Sequence, residues 1–244
     1  MIVLLTDFGE SEYVGVMKGV ILGIAPDAHI VDLTHSISPQ SVREAAWILV
    51  NSYKYFPKHT VFVCVVDPGV GTTRDAVLVI TPDYVFIGPD NGIFHEVTKA
   101  TGIEHIYSIK VGSTVSSTFH GRDVFAVAAA QYHSGTPARE IGMPKRALSE
   151  SISFYLEGRT GEIVRVDRFG NIITNIPPER SDSLQVLYGT TQLELQLVGT
   201  YAQGPSEGLF LVTGSYGTLE IASQNKRAID LLSVKIGERI TIEK

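Results

Sequence analysis

The chain has 244 residues, 44% hydrophobic and 19% charged, an ordinary globular composition with length for one large domain or two small ones. A net charge of -6 without any Lys/Arg cluster argues against a nucleic-acid partner. No apolar run approaches the ~20 residues of a membrane helix, and the single cysteine, Cys64, excludes an intrachain disulfide.

The opening MIVLLTDFGE lacks a basic n-region and turns acidic at once. It reads as the first strand of a cytoplasmic protein, Ile2 to Thr6, and not as a signal peptide. Val14, Met17, Ile21 and Ile24 then recur at helical spacing until Pro26. Gly15, Gly19 and Gly23 lie on a neighbouring face of that helix; as poor helix formers they imply close packing there. His29 to Leu33 reads as a second strand. Ser38 as cap and Pro39 at the first helical position start the next helix, whose apolar stripe runs from Val42 to Tyr53 and ends at Pro57. Val61 to Val66 is too continuously apolar for a strand with one wet face, so a central strand covered on both sides is expected, with Cys64 buried inside it. Val77–Ile80 and Tyr84–Ile87 are further strands, and helices are expected near Asn91–Ala100 and Arg122–Tyr132. This alternation predicts an α/β domain over 1–150, with a largely parallel sheet flanked by helices. After about Glu150 the character changes, with Gly158 and Gly161 as linker signals. Seven short strand-like segments then follow without a long amphipathic helix, predicting a small all-β sandwich or barrel over 158–244.

Ligands in open α/β sheets sit beyond the carboxyl ends of strands. Asp7, Asp67 and Asp90–Asn91 fall at such ends, and His120 lies just before a helix. In DPGVGTTR, Gly69 and Gly71 permit a loop that folds Arg74 back over Asp67; a tight turn with a surface ion pair is the plainer alternative. The stretch lacks the Gly-Lys-Ser/Thr of a Walker loop. In STFHGRD, Gly121 permits close approach to His120, and a helix start would favour the neutral imidazole; a satisfied loop histidine is the alternative. A metal held by Asp7, Asp67 and His120 lacks any supporting HxxxH, HxH or Cys pair. His35, His59, His95, His105 and His133 are scattered and read as mostly structural or exposed. In VDRFGNIITN, Asp167 and Asn171 offer a carboxylate and an amide beside Phe169, or else simply an Asx-type turn. Ser215 and Tyr216 sit on a second glycine-bounded turn, GSYG.

Taken in order, TDFG, DLTHSI, VVDPGVGTTR, PDNG, STFHGRD, DRFGN and GSYGTLEIA resemble one family over essentially the whole chain: the S-adenosylmethionine hydrolases, or S-adenosylmethionine hydroxide adenosyltransferases, relatives of fluorinating and chlorinating enzymes. The resemblance implies an α/β domain, a C-terminal β-barrel and a homotrimer whose sites lie between the N-terminal domain of one subunit and the C-terminal domain of the next. It implies that Asp67, Arg74 and His120 hold the attacking water and that Asp7 binds the ribose hydroxyls. Asp167 and Ser215 match groups at the methionine end. Asn171 and the backbone near Asn225 match adenine contacts, with Phe169 and Tyr201 as aromatic walls. Which of Glu10, Ser11 and Glu12 matches a second acid near the substrate stays open, as does the role of Tyr216. The halogenating relatives carry an extra loop and a different residue pair at positions 67 and 120, which points here to water. The implied reaction yields adenosine and L-methionine and needs no metal or redox cofactor. A halide-using enzyme, an S-adenosylmethionine-binding sensor with little turnover, and a metal-dependent hydrolase are the alternatives.

Overall fold

The computed structural model describes every residue except Ser113. It divides into two compact units, Met1–Ile152 and Ser153–Lys244.

The first unit is built on a seven-stranded sheet in the order β2-β1-β3-β5-β4-β6-β7. Its strands are β1 (Ile2–Thr6), β2 (Ile30–Thr34), β3 (Thr60–Val65), β4 (Ala76–Ile80), β5 (Tyr84–Pro89), β6 (His105–Ile109) and β7 (Gly142–Lys145). Neighbours from β2 through β5 pair in parallel. β4 and β7 run against the rest, each antiparallel to β6. Every residue of β1 and β3 is buried, as the unbroken apolar runs require. Alternate residues serve opposite faces, following the period of two of a strand. Ile2, Leu4, Val61 and Val63 pack under α1 (Tyr13–Ile24), while Val3, Leu5, Phe62 and Cys64 pack under α2 (Val42–Ser52) and α3 (His95–Thr101). Truncating a fully buried aromatic such as Phe62 to Ala costs roughly 3–5 kcal/mol.

The chain steps from β1 through α1 to β2 on one side, then through α2 to β3 on the other side of β1. Right-handed crossovers in opposite directions place these helices on opposite faces and open a crevice at the β1/β3 strand ends. The register sets Thr6 beside Val65, so Asp7 and Asp67 emerge at the same sheet edge.

Several elements differ from the sequence reading. α2 begins at Val42 with Ser41 as its cap, not at Ser38 and Pro39. Gln40 has φ 65°, a left-handed conformation through which a helix cannot run. Ser41 Oγ accepts from Glu44 N, and Glu44 Oε2 accepts from Ser38 N at 2.9 Å, a variant of the capping box. α3 starts four residues later than expected, because Gly92 at φ 94° and the Asn91 side chain shape a turn first. The helix placed near Arg122 opens as a π-helical segment, Gly121–Ala126, before α4 (Val127–His133). β6, β7 and the short α5 (Ala138–Ile141) complete the unit. Among the described residues nothing lies within 4 Å of a Cβ placed at Gly15, Gly19 or Gly23, so the close packing expected at this face of α1 is not seen.

The second unit is a closed barrel in the order β10-β11-β12-β13-β9-β8-β14. Its strands are β8 (Thr160–Val166), β9 (Ile172–Thr174), β10 (Ser183–Tyr188), β11 (Thr191–Val198), β12 (Phe210–Thr213), β13 (Leu219–Ala222) and β14 (Arg239–Glu243). All seven segments expected from the sequence are strands. Only β11 and β12 pair in parallel. Leu184, Val186, Ile240 and Ile242 alternate into the barrel core with Ile163, Leu211 and Ile221, and closure leaves no unpaired edge. Gly158 and Gly161 belong to this unit rather than to a linker; Gly161 pairs with Ile240 inside the barrel. Among the described residues no helix is long and apolar enough to cross a membrane.

Candidate active site

Beyond the ends of β1 and β3 the first unit has a pocket of about 630 Å³, lined by Asp7, Asp67 and His120 among others. The loop from Asp67 folds back through turns that join Val70 N to Asp67 O and Thr72 N to Gly69 O. Gly71 carries φ 77°, and a Cβ there would overlap the Ser117 carbonyl oxygen, so only glycine fits. The returning chain brings Arg74 onto Asp67. Arg74 Nε donates to Asp67 Oδ1 at 2.9 Å and Nη2 donates to Oδ2, a bidentate clamp. Their side chains are 10% and 5% exposed, so this is not the surface ion pair of the plainer sequence alternative.

Arg74 Nη2 also stands 2.9 Å from Nδ1 of His120. A guanidinium only donates, so Nδ1 is the acceptor and the imidazole is neutral with its proton on Nε2. Burial first, and then the Arg74 charge, hold the His120 pKa below its ordinary value, against the opposing pull of Asp67 and Asp123. Phe125, fully buried, lies beneath both groups: Arg74 sits 5.3 Å from its ring centroid and His120 meets it edge-on. Gly121 is packed against Phe119 and Met17 rather than opening a path to His120.

Asp7 lines the same pocket, and its Oδ2 accepts the Gln40 amide at 2.7 Å, which supports the left-handed backbone there. Phe8, Tyr13 and Phe119 form an aromatic wall of edge-to-face contacts with centroids 5.0 to 6.0 Å apart. The sequence reading missed this wall, although Phe8 and Phe119 stand inside the motifs it quoted. Asp90 and Asn91 are not part of the pocket lining: Asp90 accepts Ser149 N and pairs with Lys145, and Asn91 donates to Val66 O. Among the described residues no three His, Cys, Asp or Glu side chains gather as a metal-ligand group. Arg74 already stands between Asp67 and His120, where a cation bridging them would have to sit.

The second unit has its own open cavity of about 1150 Å³. It is lined by Asp167, Phe169, Asn171, Tyr201, Ser215 and Asn225, the residues of that unit to which the resemblance gives a role; Tyr216 is not among the lining residues. The DRFGN segment is an Asx-type turn as well as a cavity wall. Asp167 Oδ1 accepts the amides of Phe169 and Asn171, and Oδ2 accepts Asn171 Nδ2 at 3.0 Å. Phe169 is 71% exposed, with the Arg168 guanidinium 5.8 Å from its ring centroid. Gln224 ties the Tyr201–Gly204 turn to the 223–227 loop by donating to the carbonyls of Tyr201, Ala202 and Gly204. Neither Gln224 nor Glu220, which also lines the cavity, was anticipated. A charged residue inside the short strand TLEIA was the available signal for Glu220.

Residues 2–142 match the model of the SAM hydroxide adenosyltransferase N-terminal domain, and residues 161–241 match that of its C-terminal domain. An (R)-S-adenosyl-L-methionine hydrolase from Salinispora arenicola is 33% identical, over 97% of this chain and 95% of its own. A fluorinase from Actinopolyspora mzabensis is 28% identical, over 91% and 90%. The crystal structure of an uncharacterized conserved protein from Thermotoga maritima superposes with a TM-score of 0.91 at 37% identity, over 99% of this chain and all of that one. With both domain models matched in order and relatives aligned over nearly its full length, the chain belongs to the SAM hydroxide adenosyltransferase family.

Proposed function

We propose that the protein hydrolyses S-adenosyl-L-methionine to adenosine and L-methionine. The observation that carries the proposal is the Asp67–Arg74–His120 cluster over a pocket that Asp7 also lines. Water attacks the ribose C5′, the C5′–O bond forms, and the C5′–S bond breaks with its electron pair going to sulfur. A sulfonium is already a good leaving group, so the work lies in making water a nucleophile. Arg74 holds both oxygens of Asp67 in place, and the carboxylate retains lone pairs to receive a water proton. His120, with its proton on Nε2, donates to the water oxygen and orients it. The proton passes to Asp67 as the new bond forms. Such positioned proton transfer contributes about 10²- to 10⁴-fold, and alignment of water with the S–C5′ axis adds to it. In this reading Asp7 holds the ribose hydroxyls, Asp167 and Ser215 the methionine end, and Asn171, Phe169, Tyr201 and the Asn225 backbone the adenine.

A carboxylate at position 67 favours water over halide, because an anion approaching Asp67 meets like charge. The name of the hydrolase relatives specifies the R configuration, so we take the R epimer at sulfur as the preferred substrate. We further infer a homotrimer, with each site completed by the first domain of one subunit and the second of its neighbour. It works in the cytoplasm and without a cofactor. The candidate groups fall into two separate cavities, one in each unit, which supports a shared site. The test is incubation of the purified protein with each sulfonium epimer, with and without chelator or halide, followed by chromatography of the products. Adenosine and methionine, formed faster from the R epimer and unaffected by chelator or halide, is the expected result. A 5′-halo-adenosine would establish the halogenating alternative, and substrate retained intact would leave a binding protein.

A further inference from the structure

The cavity of the barrel unit contains a carboxyl group that the reaction above does not use. Glu220 lies in β13, all four residues of which are buried, and is itself 6% exposed. It lines the cavity together with Asp167. Its Oε2 accepts the phenol of Tyr201 at 2.6 Å. Gly214 makes room for it: a Cβ at that position would overlap Glu220 Oε1. Burial pushes the Glu220 carboxyl up from its ordinary value. Tyr201 draws it down, the Asp167 charge raises it, and Arg165 lowers it. Burial and the neighbouring carboxyl also raise the Tyr201 phenol, which therefore stays a donor.

Glu220 and Asp167 repel each other across a cavity whose lining also includes Lys226 and Arg227, and the buried Glu220 carboxylate gains most when a cation enters. A neutral ligand of the same shape offers no such relief. We propose that Glu220 is a specificity-determining residue, the buried anion by which this cavity selects a sulfonium-bearing adenosyl ligand over its neutral counterparts. The inference rests on the hydrolase reading and adds to it a basis for discrimination. The substrate carries a positive sulfur, whereas adenosine, a product, is neutral, so the same charge that favours capture does not retain that product. The Tyr201 hydrogen bond gives Glu220 a second task, holding the ring as a cavity wall.

The test is calorimetric titration of the full-length protein, carrying Asp67→Asn to slow turnover. The ligands are S-adenosylmethionine, the neutral thioether S-adenosylhomocysteine, and adenosine. Glu220→Gln keeps an acceptor for the phenol and removes the charge. It is expected to weaken S-adenosylmethionine binding about tenfold or more, leaving the two neutral ligands nearly unchanged. Tyr201→Phe, which keeps the ring, is expected to weaken all three ligands alike. Equal weakening of all three by Glu220→Gln, or no change, would overturn the proposal. Should Glu220→Gln fail to fold, the parent protein still decides: thioether bound as tightly as substrate would overturn it. Failure of the hydrolase reading is seen separately, as an absence of products from the protein with Asp67 intact.

Discussion

Arg74 has no lone pair, and its bond to Nδ1 of His120 therefore fixes which ring nitrogen carries the proton. Acid adds a second proton where Arg74 already donates, setting two donors against each other. The unfolded imidazole titrates near 6.5, and the folded one is held below it. Between these values the unfolded chain binds more protons, so stability falls as pH drops below about 6.5 and through the depressed folded pKa. At higher pH the ring is neutral in both states and the effect vanishes. We expect kcat to be flat near neutrality with an acid limb below 6.5, and an NMR titration of His120 to share its midpoint. Asp67→Asn keeps the shape of the side chain and removes the charge. It should lower kcat by about 10²- to 10⁴-fold while KM changes little; equal losses in binding and turnover would move Asp67 from the chemistry to substrate binding.

At the scale of elements, the loop that returns Arg74 to Asp67 depends on one backbone position. Gly71→Ala forces a side chain into a left-handed conformation and against the Ser117 carbonyl, at a cost of roughly 1–3 kcal/mol. At Gly69 a Cβ would meet Arg74 Cγ and Thr72 Oγ1 at 3.4 Å and Asp67 Oδ1 at 3.8 Å, ordinary or slightly tight contacts. Gly71→Ala should therefore reduce both Tm and kcat, and Gly69→Ala should be mild in both; thermal melts and initial rates check this. The same contrast marks what the sequence could convey. β1, β3 and the barrel strands were legible because their apolar periodicity is local. β7 was not: GMPK has a proline and no β-branched residue, and its place at the sheet edge is set by pairing with distant β6. The left-handed Gln40 that delays α2 is supported by Asp7, thirty-three positions away. In the site, Asp67 and His120 were visible as residues at element ends, but Arg74, which links them, lies forty-six positions from His120 and no local pattern encodes the contact. The glycines of α1 showed a distinctive face without showing whether anything covers it.

At the scale of the molecule, each unit has its own hydrophobic core and its own cavity. A site shared between subunits makes a prediction that a site within one chain does not. Asp67→Asn disables the first domain, and Phe169→Ala with Ser215→Ala impairs the second. Either variant alone should be nearly inactive. Co-expressed in equal amounts as mixed cyclic trimers, they should regain about one quarter of the wild-type sites, because some junctions then join two intact halves. Activity of the mixture no higher than that of its components would place each site within a single chain or in a different assembly.

Cys64 is the penultimate residue of β3, with no exposed surface, and burial drives its thiol well above the ordinary value. It is the one cysteine in the sequence, so the folded enzyme offers nothing to an alkylating reagent. Labelling must wait until the middle of the sheet opens, and its rate becomes a clock for that event. An alkylating reagent then measures, in the unmodified protein, how often the strand beneath the active site comes apart, and whether bound ligand slows it.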